Sequence, residues 1–443
     1  MHSRIYRTYQ PIRWMLVLTV VALLLMPLSA SIQPAKAQGP SSGIVCTTSP
    51  GPTPTFTLNA TDGYISLPDG NLVYMWSYAD TSPGALAFQY PSPTLCVNEG
   101  DTVTITLTNN LTVDTSIMFP GQNNVLANGA PAQPQFNVFN VMTSLTNSVA
   151  PTQSITYSFV ADHPGTFIYE SGTDAELQNQ MGLVGALIVR PTGVGFTSGF
   201  AYNWAGTQYT PAEEFMLMIS EIDPDIHLAV ELGEPYSMTT YHPRYWLLNG
   251  RAFPDTILPN GTPWLPAQPY SALPHVEVMS ATHTQPALIR YLNVGRIAHP
   301  WHPHGENGRV IGRDGYPLVE DLAVTPKDLS YEEYLFDIGP GQTLDVTWKF
   351  ADVEQWNNDV NSPNYNPVPG FEYQKQNLIR GELFGSPYLG AAGDPATGEV
   401  NFNQCGEFYH IWHSHAVFEV AAYGLPMGGM VTVVRIDPPN GCP

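Results

Sequence analysis

Charge is scarce in this sequence. Asp, Glu, Lys and Arg make up 12% of its 443 residues, about half the usual share. What charge there is leans one way, with 38 acids against 16 bases. A surface of that sign repels nucleic acid and anionic lipid, so neither is an expected partner. Cysteine is scarcer still: Cys46, Cys96, Cys405 and Cys442. None sits in a CxxC pair or between two histidines, which leaves no paired-thiolate motif. No long segment has helical periodicity. Beyond the first residues, no apolar run is long enough to cross a membrane.

What remains points to turns and short strands. Glycine and proline number 38 and 42, and both punctuate chains. Residues 1–37 read as a secretory signal: Arg4, Arg7 and Arg13, an apolar core from Trp14 to Met26, then Ala35-Lys36-Ala37. The alternative, a retained anchor helix, needs about 20 apolar residues, and this core is shorter. The segment holds four of the 16 bases and no acid, so the remainder is near −26. A secreted chain with four cysteines suggests two disulfides. Of three pairings, Cys46–Cys96 and Cys405–Cys442 are favoured because each ties a chain end to a domain.

The length suits two or three domains. After a loose stretch at 38–55, residues 56–195 read as one all-β unit. Its clearest strand is Thr102 to Thr108, with Val103, Ile105 and Leu107 on one face. Ser154–Val160, Phe167–Tyr169 and Ala186–Val189 follow. Residues 196–212 read as a linker. A second unit, 213–437, includes Phe215–Ile219, Leu288–Leu292, Leu335–Ile338, Leu344–Phe350 and Val431–Ile436, and carries an Asn/Pro/Gly-rich insertion at 354–404. Residues 438–443 form a tail. Each unit ends in a Gly-rich segment leading into an aliphatic strand, Met181–Val189 and Met427–Val434. The expected fold class is therefore all-β, two copies of one β-sandwich.

The chemistry concentrates in His299-Pro-Trp-His302-Pro-His304-Gly305 and in His410-Ile-Trp-His413-Ser-His415. Alternate strand residues share a face, so His302 pairs with His304 and His413 with His415. If the two segments are neighbours, four imidazoles converge. Imidazole suits Cu, Zn, Fe or Ni. The bland alternative is a relic cluster held by hydrogen bonds. His410 has the wrong parity and reads as structural.

These motifs resemble the third and fourth copper motifs of multicopper oxidases, the laccase and copper-resistance oxidase family. Ile338–Val346 resembles the family's Pro-Gly-Gln turn, and Pro164–Tyr169 with Met181–Val189 resembles the end of its first domain. The resemblance implies linked cupredoxin-like Greek-key sandwiches and copper as cofactor. It implies His302 as a type 2 copper ligand, His304, His413 and His415 as type 3 ligands, and His299 as a blue-copper ligand. Two-domain members complete their cluster between subunits of a trimer, so a homotrimer is consistent with the resemblance.

The departures are as informative. Met118-Phe119-Pro120-Gly121 stands where the first motif has two histidines, and Tyr169-Glu170-Ser171-Gly172 stands where the second has two more. The cysteine between the last histidines is Ser414, and Glu419 stands where another histidine is expected. A blue site requires a thiolate. Fewer than four copper ions, and no laccase turnover by the family route, are the expectation. Glu170, His299 and Glu419 are further metal-ligand candidates beside the four imidazoles. Against this, Glu419 is expected to pair with His299 in place of copper, because an acid is costly to bury unpaired. Met118, Met427 and Met430 read as core. Three readings stay open. One is a copper-binding protein. The second is a divergent copper oxidoreductase acting on small molecules or metal ions. The third is a non-catalytic extracellular module.

Overall fold

The computed structural model describes residues 41–280, 282–320, 322, 326–350, 408–422 and 424–437. The signal segment, the 354–404 insertion, the tail, Cys405 and Cys442 lie outside them. Cys46 and Cys96 form a disulfide.

The first sandwich is built from two sheets. The Thr102–Asn109 strand lies between Thr55–Ser66, which runs parallel to it, and Ser154–Val160, which runs antiparallel. Val103, Ile105 and Leu107 are all buried and their threonine neighbours face outward, as the period of two requires. The facing sheet pairs Leu95–Asn98 parallel to Val184–Arg190, with Gly165–Glu170 antiparallel beyond.

The second sandwich repeats this plan. Glu214–Ile222 runs parallel to Ala287–Asn293, which pairs antiparallel with Thr343–Trp348. In the facing sheet His275–Glu277 runs parallel to Val431–Asp437, and Phe408–Ser414 lies antiparallel beyond. Next to that comes His299–Pro303. The fold is all-β, two linked cupredoxin-like Greek-key sandwiches. Two short helices, Ala175–Met181 and Pro224–Leu232, accompany the strands. The second starts at an Asp223 cap with Pro224 at its first position and ends at Gly233, a start-and-stop pattern of known form.

Each sandwich has its own core, around Leu58, Tyr78, Ile105 and Tyr157 in the first and Leu217, Ile289, Trp348 and Trp412 in the second. A third cluster, with Met75, Ile168 and Val184 against Met216, Met218 and Leu247, joins them. The joint is also ionic. Arg290 is fully buried, and its Nε donates to Glu214 Oε1 at 2.7 Å. Its Nη1 donates to Thr166 Oγ1 at 2.8 Å, and the Thr166 hydroxyl donates to Asp345. Gly165 makes the close approach feasible, since a Cβ there would lie 2.5 Å from the Gly315 carbonyl.

Candidate metal centre

The His299–Pro303 and Phe408–Ser414 strands are antiparallel neighbours, with His302 opposite His413. Parity divides their side chains. His299, Trp301, Trp412 and Ser414 point into the sandwich and are buried. His302, His304, His413 and His415 lie on the outer face, half-buried or exposed. Their rings form one patch. Ring centroids are 4.5 Å apart for His302–His304, 5.2 Å for His304–His413, 5.3 Å for His302–His415 and 5.9 Å for His413–His415.

Hydrogen bonds set which nitrogen each ring presents. His302 Nδ1 lies 2.5 Å from the Tyr334 carbonyl and His413 Nδ1 lies 2.7 Å from the Ser414 carbonyl. Donation from Nδ1 leaves Nε2 with its lone pair. His304 Nε2 and His413 Nε2 are 3.2 Å apart. Burial and the neighbouring imidazoles lower the His304 pKa to about 4. Burial, with smaller contributions from His302 and His415, lowers His413 as well, against the opposing pull of the Ser414 carbonyl. At neutral pH these two rings are uncharged and able to ligate.

Inside the sandwich lies a different arrangement. His299 has no exposed surface, and both its nitrogens meet carboxylates: Nδ1 to Glu419 Oε2 at 2.9 Å and Nε2 to Glu221 Oε2 at 3.0 Å. Burial pulls its pKa down, but hydrogen bonds and charge from the two acids outweigh that and raise it to about 9. The Ser414 hydroxyl donates to Glu419 Oε2 at 2.5 Å. Glu221 Oε1 accepts from the Tyr241 hydroxyl at 2.7 Å and the Arg296 amide at 2.6 Å. His299 and Glu419 are thus saturated by each other and by Glu221, which removes them from the ligand candidates. Sequence reasoning missed Glu221, although an acid inside the apolar run Phe215–Ile222 was a signal that it needed a buried partner.

Glu170 lies in the first sandwich. Met118 forms an isolated antiparallel bridge with it, so the two residues at the degenerate motif positions are neighbours. Asn179 Nδ2 donates to Glu170 Oε2 at 3.1 Å. Burial raises the Glu170 pKa to about 7. Among the described contacts of the four imidazoles, none is to Glu170. His410 packs against Phe350, with centroids 5.3 Å apart, on the side away from the patch.

Residues 76–193 match a family profile described as multicopper oxidase. Laccase abr2 of Aspergillus fumigatus is 35% identical over 106 residues, which is 23% of this chain and 16% of that protein. An L-ascorbate oxidase of Cucurbita pepo is 32% identical over 104 residues, 23% of this chain and 17% of that protein. Residues 76–193 are thus similar to a multicopper oxidase domain. The chain's matched region spans under a fifth of the length of these two relatives. At the level of fold, a blue copper oxidase from Nitrosomonas europaea superposes with a TM-score of 0.55 at 18% identity, over 86% of this chain and 85% of that one. A multicopper oxidase named mgLAC does so with 0.54 at 20%, over 86% of each.

The cofactor implied by the matched family is copper, and the outer patch accommodates it in part. Metal–imidazole bonds are about 2.0–2.1 Å, so two nitrogens 3.2 Å apart suit one shared ion. As the side chains stand, no three His, Cys, Asp or Glu donors among the described residues are arranged around a single point. Bringing in His302 or His415 requires their rings to rotate. The His299 site does not accommodate an ion, because its two nitrogens are already engaged.

Proposed function

We propose that this secreted chain binds copper on the outer face of its second sandwich, through His304 and His413 with His302 and His415 completing the set. It lacks the family's electron route. The observation that carries this reading is the contrast between neighbouring sites. Four imidazoles share one patch, two of them with Nδ1 committed to a carbonyl, while the position implied for a blue copper holds an imidazolium between two carboxylates.

The bound ion supplies a Lewis-acidic, redox-active centre. The chain's own residues do the rest. The Tyr334 and Ser414 carbonyls fix ring tautomers, and Trp412, buried and donating to the His304 carbonyl at 2.9 Å, holds the two strands in register. Ser414 cannot act as a thiolate ligand, and its hydroxyl is committed to Glu419. Secretion rests on the N-terminal basic and apolar segment and the Ala-x-Ala signal.

The test is metal analysis with EPR on protein loaded with Cu(II). The expected result is bound Cu(II) with nitrogen hyperfine structure and no intense blue absorption. Absence of copper after loading, or an intense thiolate-type band, would overturn the reading.

A further inference from the structure

The stretch that joins the two sandwiches does more than span them. Thr192 N–H donates to Glu99 Oε2 at 3.1 Å, and Gly193 N–H donates to Asn203 Oδ1 at 3.0 Å. Asn203 Nδ2 donates back to Glu99 Oε2 at 2.9 Å, and Tyr209 N–H donates to the Gly199 carbonyl at 2.8 Å. A connection that needed only reach would leave these groups to water. Here they hold the stretch as one wall of a cavity of about 550 Å³. That size suits a small molecule, and a junction between domains is a usual place for one.

The rest of the lining comes from where the sandwiches meet. Arg190 ends the Val184–Arg190 strand of the first, and Glu214 begins the Glu214–Ile222 strand of the second. Arg190 Nη1 lies 2.9 Å from Glu214 Oε2, and the Tyr209 hydroxyl donates to the same oxygen at 3.2 Å. Glu214 is 5% exposed, and its other oxygen takes Arg290. Arg190 is thus held rigidly by one nitrogen while its side chain stays 32% exposed. The described contact of its Nη2 is the Cys46 sulfur at 3.7 Å, a weak acceptor. That nitrogen has bonding capacity to spare. In the same lining are the Asn98 amide, the Thr197 and Ser198 hydroxyls and the Phe200 ring. Asn98 sits opposite Arg190 on the neighbouring strand. Phe196 braces Phe200 edge-on, with centroids 5.3 Å apart.

Charge narrows the ligand class. The charged lining residues, Arg190 and Glu214, already neutralise each other. An anion entering here meets Glu214 in a chain of net charge −22. A cation meets Arg190, with Arg290 behind Glu214. What the remaining groups can satisfy is a neutral molecule rich in hydroxyls, which both donate and accept, with an apolar face for an aromatic ring.

We propose that this junction cavity binds a neutral sugar. Arg190 Nη2 and the Asn98 amide donate to its oxygens, the Thr197 and Ser198 hydroxyls pair with its hydroxyls, and Phe200 packs on the C–H face of its ring. The site does not rest on metal binding.

Calorimetric titration of the full chain in EDTA tests it, with glucose, N-acetylglucosamine and their linked pairs cellobiose and chitobiose as probes. At least one is expected to bind with a Kd of about 1 mM or tighter. Glucuronate and glucosamine, the charged counterparts, are expected to bind about 10-fold more weakly or worse. Asn98→Ala, at an exposed position, is expected to weaken binding about 5-fold, as the loss of one neutral hydrogen bond does. Ser198→Trp, which fills the cavity, is expected to abolish it. Both variants are expected to keep the parent's circular dichroism. His304→Ala, in the imidazole patch, is expected to bind sugar as the parent does, which separates this site from the copper reading. A linked pair that binds tighter than its single unit assigns the site to a sugar chain, and one that does not assigns it to a free sugar. No binding by any of the four probes overturns the proposal. So does tighter binding of either charged counterpart, binding that survives Ser198→Trp, or loss of binding in His304→Ala. Should Ser198→Trp fail to fold, Thr197→Trp takes its place.

Discussion

The two sandwiches present the same strand pair with different chemistry. In the second, His413 is the last residue of its strand to pair with Val431–Asp437, and His302 lies across from it. In the first, Glu170 ends the strand that pairs with Val184–Arg190, and Met118 lies across from it. The next residue inward is a buried serine in both. Ser414 donates to Glu419, and Ser171 donates to the Gln178 side chain at 2.7 Å. One frame therefore carries clustered imidazoles in one copy and a thioether with a desolvated acid in the other. The backbone register is indifferent to the exchange; what changes is how each site settles its buried polar groups.

The sharpest break in the comparison is at His299, which has no counterpart in the first sandwich. His299→Ala leaves Glu221 and Glu419 buried without their cation, which is expected to destabilise by about 3–5 kcal/mol. Chemical denaturation at pH 7 measures it. The same pair imposes a pH window on the parent. Its folded pKa, about 9, lies above the ordinary value of about 6.5. The stabilisation is therefore complete below pH 6.5 and lost as pH rises through 9. A fall of about 3 kcal/mol in unfolding free energy across that range is expected. His299→Gln should flatten it. A parent curve already flat from pH 6.5 to 9 would mean the imidazolium is not there.

Next in size is the contrast in metal affinity. His304→Ala with His413→Ala is expected to weaken Cu(II) binding about 100-fold or more, roughly 2.7 kcal/mol. Met118→Ala in the first sandwich should leave it unchanged. Competition titration against a chelator reads both. Equal losses would show that the first sandwich also feeds the site.

Much of this was legible beforehand because it depends on periodicity. Val103, Ile105 and Leu107, or His302 and His304, reveal their shared face from spacing alone. The His299–Glu419 pair was legible too, since a buried acid in a chain with few bases has few partners. Other features were hidden. Thr55–Ser66 contains Asp62 and Gly63, residue types that favour turns, yet the strand runs through them because Leu72–Asp80 pairs with it there, Trp76 opposite Asp62 and Met75 opposite Gly63. Glu221 lies 78 residues from His299, and only the sheet topology brings them together. The expectation that Glu170 faces the imidazoles came from resemblance; in the single chain its described partner is Asn179.

The smallest effect distinguishes the roles of the two acids. Glu419 has a cation, whereas burial raises Glu170 to about 7 with an amide as its described donor. For a carboxyl whose folded pKa lies above its unfolded value of about 4.5, stability is full below pH 4.5 and lost as pH rises through 7. Glu170→Gln removes that loss while keeping the Asn179 contact. Because Glu170 is partly solvated, the gain at pH 8 is expected to be about 1–2 kcal/mol, with no difference at pH 4. Urea midpoints at the two pH values measure it. A loss of stability at pH 8 would instead mean that the ionised carboxylate has a cationic partner in solution, a metal or a second copy of the chain. The first sandwich would then be a working half-site like the second.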